Sequence, residues 1–156
     1  MGAAGAGKST IGRALANALG WRFADADDLH SADAVAQMRR GVPLTDEQRE
    51  PWLDRVHRLA ADAVRAGESL VVACSALKER YRARIGDGLA GIVFVYLEAG
   101  PELLHARVSG RPSHFMPESL VDSQLATLEP PADAIRVDAA LPVDAQVAVI
   151  RRALDV

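Results

Sequence analysis

The sequence is poor in cysteine, poor in aromatic residues and without any long apolar run, and each scarcity removes a class of protein. With one cysteine, Cys74, no intrachain disulfide can form, and a reducing compartment is the natural setting. The apolar residues around it predict a buried structural thiol. No apolar stretch approaches the roughly 20 residues that cross a bilayer, and no basic segment followed by an apolar core opens the chain. Neither a membrane partner nor export is therefore expected, and the cytoplasm is the default location. A formal net charge of -3 argues against nucleic acid as a partner, because duplex binding draws on a basic surface. Repeats, low-complexity tracts and linkers are absent. What remains is 156 residues of ordinary globular composition, expected to form a single domain over 1–156.

Hydrophobic spacing gives the order of elements. Ile11, Leu15, Ala18 and Leu19 share a face of a helix predicted over 8–19, with Gly20 beyond its end. The apolar run 21–24 leads into Asp25, Ala26, Asp27 and Asp28, the pattern of a strand that delivers carboxylates at its C-terminal end. A short helix follows over 31–40. Thr45 and Gln48 have capping-box spacing, and Pro51 is placed to open a longer helix running to 66. The runs 69–74 and 92–97 are continuously apolar, as parallel strands covered on both faces are. Helices are predicted over 78–85, 101–109, 117–128 and 143–154, with a weak strand at 134–137. The basic, Pro-containing stretch between the third and fourth of these strand candidates reads as a mobile lid around 107–117. Alternating strands and helices predict an α/β layered domain with a mainly parallel sheet.

One motif is specific. Gly2, Ala3, Ala4, Gly5, Ala6, Gly7, Lys8 and Ser9 satisfy the phosphate-loop spacing, and Thr10 continues into the first helix. Small residues let backbone N–H groups wrap around phosphate oxygens, and the helix that follows adds its positive end. Lys8 is expected to reach the β- and γ-phosphates of ATP, and the Ser9 hydroxyl to ligate magnesium. A flexible Gly/Ala leader is the bland alternative, and a well-patterned helix opening on Lys-Ser-Thr argues against it. Such a loop normally follows a buried strand. Only Met1 precedes Gly2, so the first strand is expected to be missing from this chain, with a short apolar strand expected upstream.

Asp27 falls just past a predicted strand, where α/β proteins place ligands, and could take the proton of an attacking hydroxyl. The competing reading of Asp27 is an N-cap or a solvated turn acid, and with three acids in four positions that reading is plausible for Asp25 and Asp28. No strand reads as ending in the acidic second metal ligand of many phosphate-loop proteins, so Asp27 is also expected to reach the metal through water.

The phosphate loop together with DADDLH (25–30), MRRGVPLTDEQREPWL (38–53), ACSALKERYR (73–82), VYL (95–97) and RPSHFMPESLVDSQLATLE (111–129) resembles the gluconate kinases. These are small P-loop kinases related to shikimate and adenylate kinases, and the resemblance covers nearly the whole chain. PLTDEQREPWL and CSALKERYR are its most specific parts, since adenylate and shikimate kinases do not carry them. The resemblance implies an adenylate-kinase-like three-layer fold, a homodimer, and transfer of the γ-phosphoryl of ATP to the 6-hydroxyl of D-gluconate. It makes Arg49, Lys78 and Arg82 cationic candidates for the substrate carboxylate and puts His30 near the sugar hydroxyls. For Lys78 and Arg82 a solvated helix-face role competes almost evenly. It also places Arg107 and Arg111 in a lid that closes over ATP, where a guanidinium stabilises charge on the transferred group, with a surface salt bridge as the competing role. His114 continues the lid, toward phosphate or toward solvent. The expected catalytic set is thus Lys8, Asp27, Arg107 and Arg111; His57 and His105 receive no role. Ala26 and Pro130 depart from the family pattern, where a glycine and a second acid are usual. Two other readings stay open: a shikimate-like or nucleoside-monophosphate kinase, and a truncated nucleotide-binding module without turnover.

Overall fold

The structure is a computed structural model that describes residues 1–110 and 119–156. The phosphate loop runs directly into α1 (Lys8–Leu19), which buries Ile11 and Leu15 and packs on two strands, β1 (Arg22–Asp25) and β2 (Leu70–Ala73). Between those strands lie a 3₁₀ turn (Ala26–Leu29), α2 (Ala32–Arg39) and α3 (Asp46–Ala66). After β2 come α4 (Glu79–Gly86), β3 (Val95–Glu98), α5 (Pro101–Ser109), α6 (Ser119–Thr127), β4 (Ile135–Asp138) and α7 (Val143–Leu154). The lid expected around 107–117 lies beyond Gly110 outside the described residues, and only its first residues, at the end of α5, are seen.

Most elements lie within one or two residues of the sequence reading, and the starts of α3 and β3 differ by more, each for a physical reason. α3 opens at Thr45 rather than at Pro51: the Thr45 side chain accepts from the Gln48 amide while the Gln48 side chain accepts from the Thr45 amide. That reciprocal cap satisfies two orphan donors, so Pro51 sits in the second turn and forgoes one i→i−4 bond. β3 begins at Val95 rather than at residue 92, because ladder pairing starts only where β4 does, with Val95 opposite Ile135.

The strands pair in parallel, as the continuous apolar runs predict, but in two separate ladders. Arg22 to Asp25 face Leu70 to Ala73, and Val95 to Glu98 face Ile135 to Asp138. Among the described residues no ladder joins β2 to β3. The first two residues stand at that gap: the Met1 carbonyl accepts from Leu97 at 3.0 Å and the Gly2 amide donates to the Ser75 carbonyl at 3.3 Å.

Apolar side chains gather in two clusters. One joins the phosphate loop to α1, α5, α6, α7 and the β3–β4 pair through residues such as Ala6, Leu15, Leu104, Val121 and Ile150. The other lies under α3 and α4 and contains Trp52, Leu53, Val56, Tyr81 and Ile85. Cys74 is buried there as expected, and burial pushes its thiol up to about 12. Among the described residues no helix is long and apolar enough to cross a membrane.

Candidate active site

The phosphate loop keeps its glycines for lack of room as much as for flexibility. Gly2 and Gly5 have φ of +144° and +85°, and a Cβ on either would stand 2.9 Å from a backbone oxygen, that of Leu97 or Leu104. Side chains are excluded at both positions. The loop is therefore clamped between the end of β3 and α5, with the amino end of α1 directly behind it. Lys8 Nζ donates to the Ala3 carbonyl at 3.0 Å, folded back across the loop. A cradle of small residues, a helix N-terminus and a lysine at its mouth fit a polyphosphate.

Beside the cradle, the Ser9 hydroxyl donates to Asp25 Oδ2 at 2.5 Å. The second oxygen of Asp25 accepts the Asp27 amide at 3.1 Å and caps the 3₁₀ turn. Asp25 is thus both an N-cap, as one sequence reading had it, and the acid paired with the phosphate-loop serine. β1 ends on Asp25, so a strand-terminal carboxylate stands beside the phosphate-loop serine. Its position as the last residue of β1 was the available signal, obscured by three acids within four residues. Hard oxygen donors of this kind suit magnesium, and Ser9 and Asp25 fit that ion.

Asp27 follows in the same turn. Burial pushes its carboxyl above the usual carboxylate range; Lys8 opposes this, and Asp25 and Asp28 add to it. A carboxylate with raised proton affinity beside the phosphate lysine has the character of a general base. The turn ends at His30, whose ring stacks on Trp52 with centroids 4.6 Å apart and planes 7° from parallel. Trp52 in turn anchors the turn by donating from Nε1 to the Ala26 carbonyl at 2.7 Å. His30 Nδ1 is buried and has no hydrogen-bond partner among the described residues. Burial lowers its pKa to about 4, with Arg49 and Arg55 contributing in the same direction, so the imidazole is neutral.

His30, Arg49 and Trp52 line a cavity of about 30 Å³ together with Ser75 and, from α6, Ser123 and Gln124. Arg49 lies over the Tyr81 ring at 5.8 Å. Gln124 reaches further and accepts the Ala4 amide at 2.7 Å, which ties α6 to the phosphate loop across 120 residues of chain.

The other cationic candidates are engaged elsewhere. Lys78 donates to both oxygens of Asp46 at 3.0 and 2.9 Å, and Arg80 and the Tyr81 hydroxyl converge on the same carboxylate. Arg82 is buried and donates to the carbonyls of Ala76 and Leu77 at 3.0 and 3.2 Å, where it braces the segment after β2, which includes Ala76 with a φ of 42°. Neither is brought into the His30–Arg49 cavity. Arg107 spans the base of the phosphate loop: it donates to Ala139 at 2.7 Å and lies 3.5 and 3.4 Å from the carbonyls of Gly5 and Ala6. Arg111 and His114 lie outside the described residues. His57 meets the Ile85 carbonyl and His105 meets Asp122, contacts without a place at the site. Sequence reasoning missed Asp25, Asp46, Trp52 and Gln124. The last three are brought in by tertiary packing and carried no local signal.

The fold around this loop is that of the P-loop kinases, nucleotide-dependent phosphotransferases. A shikimate kinase from Bacteroides thetaiotaomicron, 20% identical, superposes with a TM-score of 0.69 over 100% of this chain and 96% of its own, a likeness of fold alone. Residues 1–131 match a family described as an AAA domain. Nearer relatives narrow the class. The gluconokinase of Gluconobacter oxydans (strain 621H) is 46% identical, with 85% of this chain and 75% of the relative aligned. The "Probable gluconokinase" of Rattus norvegicus is 43% identical over 91% of this chain and 89% of its own. Among solved structures, a gluconokinase from Sinorhizobium meliloti 1021 is 39% identical with a TM-score of 0.84, and an unliganded sugar kinase from Janibacter sp. HTCC2649 is 40% identical with a TM-score of 0.93; each covers 99% of this chain and 91% of the other. The chain belongs to the gluconokinase family.

Proposed function

We propose that the protein transfers the γ-phosphoryl of ATP to the 6-hydroxyl of D-gluconate, giving 6-phosphogluconate, in the cytoplasm. The observation that carries this reading is one short turn, in which Asp27 feels the phosphate-loop Lys8 and which ends at His30 on the cavity that Arg49 and Gln124 also line. Phosphate donor and polyol acceptor thus meet at a single carboxylate.

The residues divide the work by their chemistry. The backbone of residues 2–7 and Lys8 bind the β- and γ-phosphates and hold them in line. Ser9, with Asp25 beside it, would hold a magnesium ion, which would supply charge neutralisation on those phosphates. Asp27 accepts the proton of the attacking hydroxyl. Arg49 offers a guanidinium to the carboxylate of a sugar acid, and neutral His30 offers its unpartnered nitrogen to a hydroxyl. Lys78 and Arg82, bound to Asp46 and to backbone carbonyls, support the walls of this cavity. Arg111 and His114 remain proposed for the lid on the sequence resemblance alone, and Arg107 acts on the loop that holds the phosphates.

The cavity has room for about one or two waters, less than a six-carbon acid fills. Gln124 on α6, one wall of that cavity, also holds the Ala4 amide of the phosphate loop. ATP consumption with gluconate, shikimate, glucose and AMP tests the assignment, with gluconate expected to be turned over far faster than the others.

A further inference from the structure

The turn that carries Asp27 is held from outside as well as from within. Ala26–Leu29 is a single turn of 3₁₀ helix, too short to pair most of its own amides and carbonyls. Two of its peptide units are instead gripped at both ends. In the one joining Ala26 to Asp27, the Asp27 amide donates to Asp25 Oδ1 at 3.1 Å and the Ala26 carbonyl accepts from Trp52 Nε1 at 2.7 Å. In the one joining Leu29 to His30, the His30 amide donates to the Asp27 carbonyl at 3.3 Å and the Leu29 carbonyl accepts from Arg55 Nε at 2.6 Å. Both peptide planes are thereby fixed, and Asp27 lies between them.

The two outside donors match the turn in spacing. A 3₁₀ helix repeats about every three residues, which sets the Ala26 and Leu29 carbonyls one above the other. Residues three apart on an α-helix are likewise neighbours on one face, and Trp52 and Arg55 of α3 stand in that relation. Adjacent donors on the helix therefore meet adjacent acceptors on the turn. One hydrogen bond alone would leave the turn able to rotate about it; a second bond a full turn away removes that freedom. Any such rotation would carry the Asp27 carboxylate with it. Arg49, three residues before Trp52, extends the same row of α3 to the acceptor cavity.

We propose that Trp52 and Arg55 are positioning residues for phosphoryl transfer: together they fix the rotation of the Ala26–Leu29 turn and with it the direction of the Asp27 carboxylate. The inference deepens the gluconate reading and rests on Asp27 as the base. A purely structural anchor is the competing role, and it would lower stability without changing the rate per folded molecule.

The test is a double-mutant cycle read on the rate at saturating ATP and gluconate. Arg55→Met keeps the length of the side chain and removes the donor, and Trp52→Phe keeps an aromatic ring and removes its N–H. Rates are taken well below the melting temperature of every variant and at pH 8, where His30 is neutral with or without a charge at residue 55. Each single variant should lose about 10- to 100-fold in rate, as a displacement of about 1 Å at the reacting groups costs, with ATP affinity unchanged. Because losing either bond frees the same rotation, the double variant should be no slower than the slower single one, whereas independent losses multiply. Arg55→Gln, whose Nε2 stands as many bonds from the backbone as the arginine Nε, should return to within about threefold of the wild-type rate. A wild-type rate in Arg55→Met, losses that multiply in the cycle, or an Arg55→Gln rate as low as that of Arg55→Met would each overturn the proposal. Should Trp52→Phe not fold, Arg55→Met against Arg55→Gln decides by the same criteria. Asp27→Asn, assayed alongside, separates the two levels. Turnover lost there but kept in Arg55→Met removes the positioning role alone, and wild-type turnover there removes the base and the positioning role with it.

Discussion

The Ser9 hydroxyl donates to the Asp25 carboxylate at 2.5 Å, joining the first turn of α1 to the last residue of β1. Because the other oxygen of Asp25 holds the Asp27 amide, one acid fixes both the phosphate-loop hydroxyl and the backbone of the proposed base. Asp25→Ala removes both bonds. It is expected to lower turnover about 10- to 100-fold, as loss of a partner that orients a ligand does, and to raise the magnesium concentration needed for half-maximal rate. A magnesium titration of the variant checks this, and an unchanged requirement would separate Asp25 from the metal.

Asp27→Asn keeps the shape of the side chain and removes its ability to accept a proton. Turnover should fall about 10²- to 10⁴-fold while ATP binding, measured by calorimetry, stays at the wild-type value. Wild-type turnover in this variant would remove Asp27 from the role of base.

Arg107 touches the carbonyls of Gly5 and Ala6 and anchors to that of Ala139, a fork that a lysine cannot reproduce. Arg107→Lys should therefore weaken ATP binding by about tenfold, equivalent to about 1.4 kcal/mol, and depress the rate at saturating ATP much less. A loss confined to the saturated rate would instead place this guanidinium on the transferred phosphoryl group.

The His30–Trp52 stack gives stability a definite pH dependence. Its buried imidazole has a pKa of about 4 against 6.5 in the open chain, so between those values the unfolded state holds the extra proton. Stability from this group is fully present above about pH 6.5 and declines as the pH falls toward 4. Urea denaturation at pH 7 and pH 5 should show a fall that is smaller in His30→Gln. Trp52→Phe, which leaves the Ala26 carbonyl without its donor, should cost about 1–3 kcal/mol at either pH.

Contiguous features were legible before the structure was seen. The phosphate loop and α1 lie within residues 2–19, where each glycine and each apolar position carries its own reason, and β2 follows from a continuous apolar run. Residues that act through distant partners were not. Asp25 looked like any turn acid until Ser9 was set beside it, and Arg82 looked like a pocket cation until burial turned it onto the Ala76 and Leu77 carbonyls. Gln124 showed nothing in its own helix that pointed to Ala4. Pro51 misled in a different way, since the reciprocal cap at Thr45 outweighs a proline that would otherwise open the helix. The start of β3 depended on the position of β4, which no local pattern reveals.

The central claim is that the carboxylate at the end of the β1 turn serves a sugar acid. ATP-coupled turnover with magnesium, measured side by side on gluconate, shikimate, glucose and AMP at equal concentration, tests it most directly. Rapid phosphorylation of gluconate is expected, with 6-phosphogluconate as the product and the other three at background. Comparable rates on all four, or a preference for AMP, would contradict it.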